Sequence, residues 1–273
     1  MRAAPDRPSP SPATTHPYFD APFIALAHRG GTLLADNEGI ENTVAAFANA
    51  VSLGYRWLET DVHATSDGVL VAFHDTHLDR VTDQRGAIAE TPWATARAAR
   101  ILRPNGEAEG IPLMDELLES FPECRFNIDI KAPGAIEPLA RLIEHHRAHD
   151  RVCVGSFHTR SIDAFRRRMG TRVATSVAPP GVARTAFFPV LPHRFRAHGQ
   201  AFQVPIHHTV RGRRVSIVTE RFVDRAHRMG QHVHVWTINE RAEMERLIDL
   251  GVDGLVTDRP DVLKDVLSAR GLW

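Results

Sequence analysis

Cysteine is scarce in this sequence: Cys124 and Cys153 stand alone in a chain of 273 residues. Two thiols without a secretion signal stay reduced, which excludes a disulfide framework as the source of stability. Net charge is missing as well, 33 basic residues balancing 33 acidic ones. No global field therefore gathers nucleic acid or a lipid surface, and small-molecule partners are expected. No apolar run approaches the roughly 18 residues that span a bilayer, so no transmembrane segment is expected. The opening stretch, MRAAPDRPSPSPATTHPYFD, lacks the apolar centre of a signal peptide and is rich in Pro, Ser and Thr. It reads as a flexible leader over 1–20, ahead of a single domain over 21–273, in a protein expected to be cytoplasmic. A glycine-rich dinucleotide turn is also absent, the first strand-like run closing on HRGG instead. That argues against an open doubly wound sheet.

What the chain does have is alternation. Short β-type runs such as FIALAH, RFNIDIK and HVHVWTI are separated by amphipathic stretches such as ENTVAAFANAVSLG and NERAEMERLIDLG. Several of those stretches end in glycine, as helices do, and the order predicts βαβ units on a parallel sheet. Pairing RWLETDVH with VLVAFH brings the count close to eight strands. The length from residue 21 onward matches the roughly 250 residues of a (β/α)8 barrel, so an α/β TIM barrel is predicted. Residues 75–112 read as a small loop-rich insertion after the second strand. Residues 178–200 are too broken by proline to predict a helix, and Phe187, Phe188, Val190 and Leu191 within them are expected to pack against the barrel.

In a barrel, chemistry collects at the C-terminal ends of strands. His28 and Arg29 lie where the first strand ends, and Gly30 and Gly31 let the backbone turn there. In WLETDVH, Glu59 and Asp61 are two apart and share one side of a strand. VLVAFHD repeats the grammar of the first strand and ends in His74. FNIDIK places Asn127, Asp129 and Lys131 on one side and Phe126, Ile128 and Ile130 on the other, as a strand lining a site requires. Oxygen ligands select a hard cation such as Mg²⁺ or Ca²⁺. Histidines off the metal are free for proton transfer, and Arg29 and Lys131 suit an anionic substrate. Together these residues suit a phosphodiester. The pair His232 and His234 offers a zinc alternative but lacks partners on other strands. The doublets His145-His146 and His207-His208 are expected to be solvated, and TVRGRRVS reads as a basic surface hairpin.

The ordered set AHRGG, ENTVAAF, LETDVHATSDGVLVAFHD, NIDIK and HVWTIN resembles the glycerophosphodiester phosphodiesterase family from about Phe23 to Leu267. The resemblance implies a TIM barrel that uses a divalent cation to cleave glycerophosphodiesters to sn-glycerol 3-phosphate and an alcohol. It assigns His28 and His74 as the acid/base pair, Arg29 to phosphate, and Glu59, Asp61 and Asp129 to the metal. Lys131, Trp236 and, opening the ENT motif, Glu41 complete the implied site. Asp129 stands where the family usually has glutamate, and Ile40 where proline often precedes ENT. Two other readings of the same barrel are a lysophospholipase D-type enzyme and a catalytically silent glycerophosphodiester-binding protein.

Overall fold

Eight short strands curl into a ring because their two sides are covered differently, helices packing outside and side chains filling the inside. The computed structural model describes residues 16–103, 106–188, 197–210 and 212–273. The chain begins the ring with β1 (Ile24–His28), α1 (Val44–Ser52), β2 (Trp57–Ala64) and β3 (Leu70–Ala72). An excursion with α2 (Trp93–Ala96), β4 (Ile101–Leu102) and β5 (Ala108–Glu109) leads to α3 (Met114–Ser120). Then follow β6 (Arg125–Ile130), α4 (Ile136–His145), β7 (Val152–Gly155), α5 (Thr159–Met169) and β8 (Ala174–Thr175). After α6 (Pro179–Phe187) and β9 (Ala201–Pro205) comes the hairpin β10 (His207–Val210) and β11 (Arg213–Ser216). The sequence closes with α7 (Glu220–Arg228), β12 (His232–Trp236), α8 (Arg241–Leu250), β13 (Gly254–Thr257) and α9 (Pro260–Ala269).

Parallel pairing runs β8-β7-β6-β2-β1-β13-β12-β9, and a parallel bridge between Ser176 and Ala201 joins the two ends. The predicted eight-stranded barrel is therefore what forms. VLVAFH is the antiparallel partner of the second strand, with Val62 opposite Ala72 and Ala64 opposite Leu70. Outward residues such as Leu58, Phe126, Ile128 and Val235 bury against Phe47, Leu139, Phe165 and Leu247 of the helices. Inward residues Ile24, Leu26, Trp57, Cys153, Ala174, Ala201 and Val256 form a separate apolar floor. Both cysteines are free and buried.

Three expectations need correction. Pro17–Phe19 form a helical turn whose Tyr18 and Phe19 plug the floor of the barrel, so the expected leader does not extend to residue 20. Burying two aromatic rings outweighs the turn-rich composition around them, and residues 1–15 lie outside the described residues. Pro179 and Pro180 do not break a helix but start one, because proline at the first turn lacks only an N–H that has no intrahelical partner. Phe187 and Phe188 are exposed rather than packed, and Val190 and Leu191 lie outside the described residues. Among the described residues, no helix is long and apolar enough to cross a membrane.

Candidate active site

Two residues beyond the floor, the same inward side of β1 and β2 carries His28 and Glu59, which are register partners. The site is thus the polar layer above an apolar one. At the end of β1 the chain turns through Arg29, Gly30 and Gly31, all with positive φ. A Cβ on Gly31 would stand 2.5 Å from Pro260 Cγ, and one on Gly30 would stand 2.7 Å from Ala46 Cβ. Only glycine lets this loop seat against α1 and α9. Gly31→Ala is therefore expected to cost about 1–3 kcal/mol in urea denaturation, through combined strain and overlap.

His28 is held from behind. Its Nδ1 lies 2.6 Å from Asp258 Oδ1, just past β13. Asp258 also accepts from Thr32 Oγ1 at 2.9 Å and from Asn239 Nδ2 at 2.9 Å. With Nδ1 engaged, Nε2 is the free proton-handling atom, 3.8 Å from Glu59 Oε2. Burial alone would push the imidazole pKa down, but the Glu59 charge and the Asp258 hydrogen bond outweigh it and the net direction is up.

His74 reaches the same mouth by a different route. β2 rises past the rim, and β3 returns antiparallel until Phe73 N donates to Asp61 O. That return places His74 beside the acids. Its Nδ1 lies 2.6 Å from Asp75 Oδ1. Arg80 binds the other Asp75 oxygen at 2.6 Å and grips both oxygens of Glu41 at 2.6 and 2.8 Å. Arg29 Nη1 then donates to Glu41 at 3.1 Å. The run Arg29–Glu41–Arg80–Asp75–His74 ties the loop after β1 to the loop after β3. Glu41 is accordingly a brace between two arginines, and both hold its carboxyl below the usual range against the opposing effect of burial.

The acids form the floor of the mouth. Asp61 Oδ1 and Asp129 Oδ2 each lie 2.8 Å from Lys131 Nζ, and Asp61 Oδ2 lies 3.2 Å from Arg29 Nε. Burial would raise the Asp61 pKa, but Lys131 and Arg29 draw it down. Glu59 has no such partner: burial and the Asp61 charge push it up to about 7. Asp129 is also raised, burial exceeding the effect of Lys131. Three buried carboxylates face one lysine and one arginine, and two of them ionise reluctantly. An all-oxygen donor set short of positive charge fits a hard divalent cation.

These groups line one cavity of about 500 Å³, with His28, His74, Glu59, Asp61, Asp129 and Lys131 on its polar side. Val177, Pro179, Val182, Ala183, Phe187 and Ile217 form an apolar wall opposite. Trp236 lines the cavity too, edge-on to Phe157 at 5.5 Å.

Residues 28–262 match the profile of the Glycerophosphoryl diester phosphodiesterase family. The chain belongs to this family. The expected enzyme class, a phosphoric diester hydrolase, follows with it. A probable glycerophosphodiester phosphodiesterase 2 of Mycobacterium tuberculosis is 39% identical over 253 residues, covering 92% of each chain. Lysophospholipase D GDPD1 of Mus musculus is 28% identical over 94% of this chain and 90% of that one. Among solved structures, a putative family member from Silicibacter pomeroyi superposes with a TM-score of 0.75 at 24% identity, covering 93% of this chain and 95% of that one. A phosphodiesterase of Oleispira antarctica, solved with the product sn-glycerol-3-phosphate, gives 0.72 at 22%, covering 90% of this chain and 96% of that one. At such identities the two structures speak for the fold.

Within this family member, the expected residues His28, Arg29, Glu59, Asp61, His74, Asp129, Lys131 and Trp236 all meet at the cavity. The three expected metal acids do not close on one point, since the Lys131 ammonium stands between Asp61 and Asp129. Among the described residues, ligand atoms within 4.8 Å of one another occur instead at Asp115, Glu119 and His146, none of which lines this cavity. There His146 Nε2 pairs with Asp115 at 2.6 Å, so His146 is not the solvated residue that was expected. The pair His232 and His234 belongs to the barrel interior. Phe19 stacks on His232 at 4.4 Å, and burial drives the His234 pKa down to about 3. Sequence reasoning missed Asp258, Asn239 and Arg80. A signal existed for Asp258, since the strand-like run GLVTD ends in it just as the first strand ends in His28.

Proposed function

We propose that the protein hydrolyses glycerophosphodiesters to sn-glycerol 3-phosphate and an alcohol, with His28 and His74 as the acid/base pair. One observation carries this reading: two imidazoles, each tethered through Nδ1 to its own carboxylate, open on the same acid-lined cavity. The names of its relatives and the product found in the Oleispira structure support the substrate class. Every position expected of an active enzyme is filled, which weighs against a silent barrel.

Glu59, Asp61 and Asp129 would hold Mg²⁺ or Ca²⁺, with Lys131 yielding part of its place between two of them. Such a cation, when bound, supplies Lewis acidity toward a non-bridging phosphoryl oxygen. The protein's own groups do the rest. One imidazole Nε2 takes the proton of the glycerol 2-hydroxyl as that oxygen attacks phosphorus. The other imidazole gives its proton to the departing alcohol oxygen, leaving a cyclic phosphate. Water then opens the ring with the two histidines in exchanged roles, and each recovers its starting protonation. Arg29 and Lys131 stabilise charge growing on the phosphoryl oxygens. Trp236 flanks the glycerol side.

A panel of glycerophosphodiesters assayed for glycerol 3-phosphate tests the reaction. Turnover is expected across several head groups, to vanish on thorough chelation and to return with Mg²⁺ or Ca²⁺. Full activity in chelator removes the cation from the proposal, and a panel with no glycerol 3-phosphate removes the reaction. The apolar wall favours a second reading, a lysophospholipase D-type enzyme. Turnover of micellar single-chain lipid with none of glycerophosphocholine would select it.

A further inference from the structure

The rim of the cavity leaves large aromatic side chains in water. Among the described residues, the exposed large apolar side chains are Leu33, Leu102, Phe157, Phe187, Phe188 and Trp273. Phe157, Phe187 and Phe188 are 59, 44 and 62 % exposed. Phe157 and Phe187 line the cavity, and Phe188 follows directly at the end of α6. Scattered exposed apolar residues are ordinary on a soluble protein, but a cluster around one opening marks an interaction surface. The placement of α6 strengthens the point. Pro179, Val182, Ala183 and Phe187 all line the cavity, so one helical stripe runs along the mouth and delivers the phenylalanines to its edge.

The same rim carries unpaired positive charge. His208 of β10 lines the cavity, and the hairpin register sets Arg214 opposite Thr209 and Arg213 opposite Val210. Arg213 and Arg214 are exposed, and neither has a carboxylate partner among the described residues. Their charge is therefore available to an external anion, unlike that of Arg141, Arg246 and Arg270, which are paired with acids. Exposed aromatic side chains at a mouth, with free guanidinium groups on a hairpin that reaches the same cavity, complement an anionic interface with an apolar interior. With no net charge on the chain, such an attraction is local to this patch.

We propose that the cavity rim docks on an anionic lipid surface. Phe157, Phe187 and Phe188 enter the boundary between headgroups and acyl chains, while Arg213 and Arg214 bond lipid phosphates. The mouth then faces the surface, and a single-chain lipid can rise from it along the apolar wall. The docking stands on the surface itself and does not depend on the reaction proposed above.

Sedimentation of the full chain with vesicles tests it, using equal parts phosphatidylglycerol and phosphatidylcholine against phosphatidylcholine alone. Binding to the anionic vesicles is expected, and raising the salt should weaken it. Arg213→Glu combined with Arg214→Glu is expected to lower that binding by about tenfold or more. Phe188→Ser should weaken it in low and high salt alike. Both variants should keep the wild-type melting temperature and the wild-type rate on soluble glycerophosphocholine. Equal sedimentation with both vesicle types, none with either, or anionic binding indifferent to both variants would overturn the proposal. So would a dimer that Phe188→Ser dissociates in a protein that ignores vesicles, since a second copy would then cover the rim. A wild-type protein that binds vesicles but leaves glycerophosphocholine intact would strike the reaction and spare the docking.

Discussion

His28→Ala and His74→Ala are each expected to slow turnover of glycerophosphocholine by about 10²-fold or more, with KM changed far less. Each variant removes a group that must be basic in one half of the reaction and acidic in the other. Neither partner can cover both duties, so the double variant is expected to lose little beyond either single one. Asp258→Asn should fall between wild type and His28→Ala, because it leaves the imidazole in place but frees its Nδ1 side. The carboxylate of Asp258 helps hold the His28 pKa up, so removing its charge lets that pKa fall. The limb of the kcat/KM profile that reports His28 should therefore move to lower pH in Asp258→Asn. A purely structural role for Asp258 would reduce stability without moving the limb. Near-normal rates in either histidine variant would sink the acid/base assignment.

The pairing of His28 with Asp258 also marks where sequence reading reaches its limit. Glu59, Asp61, Asp129 and Lys131 were legible because strand parity is local: polar residues two apart must share a side, and apolar residues between them must face the helices. Asp258 obeys the same rule, but a single acid after GLVT has no second polar residue beside it to make the pattern visible. Arg80 was illegible for a different reason. It sits on a short turn inside the excursion after β3, and its reach to Glu41 depends on how that excursion folds back. The helix α6 was hidden by its own start signal, two prolines that read as breakers when their place in the first turn is unknown. Tyr18 shows the converse error. Its surroundings are turn-rich, yet the barrel floor needs a large ring, and burial there overrides local preference.

Lys131→Met is expected to destabilise the protein by about 3 kcal/mol at neutral pH, near the lower end for breaking a buried ion pair. At roughly 2–4 °C per kcal/mol, the melting temperature should fall by about 6–12 °C. The ammonium contacts both Asp61 and Asp129, and Arg29 alone cannot replace it. The pH dependence has a definite sign. In wild type the folded Lys131 pKa is raised, so its contribution is complete below about pH 10 and fades only above that. The folded Asp61 pKa is lowered, so its contribution is complete above about pH 4 and is lost only as pH falls through the folded value. Between those limits the wild type keeps both contributions in full. Without the ammonium, both carboxylates become easier to protonate in the folded state, so the gap from wild type should narrow as the solution is acidified from neutrality. Thermal melts from pH 4 to pH 8 would show this, and a deficit independent of pH would mean that lost packing, not charge, is responsible. The same variant isolates the cation from catalysis. If Glu59, Asp61 and Asp129 bind Mg²⁺ or Ca²⁺, removing their competing ammonium should make the melting temperature rise more steeply with added cation than it does in wild type. A variant whose stability ignores both ions would show that these three acids hold no metal, whatever the fate of the two histidines.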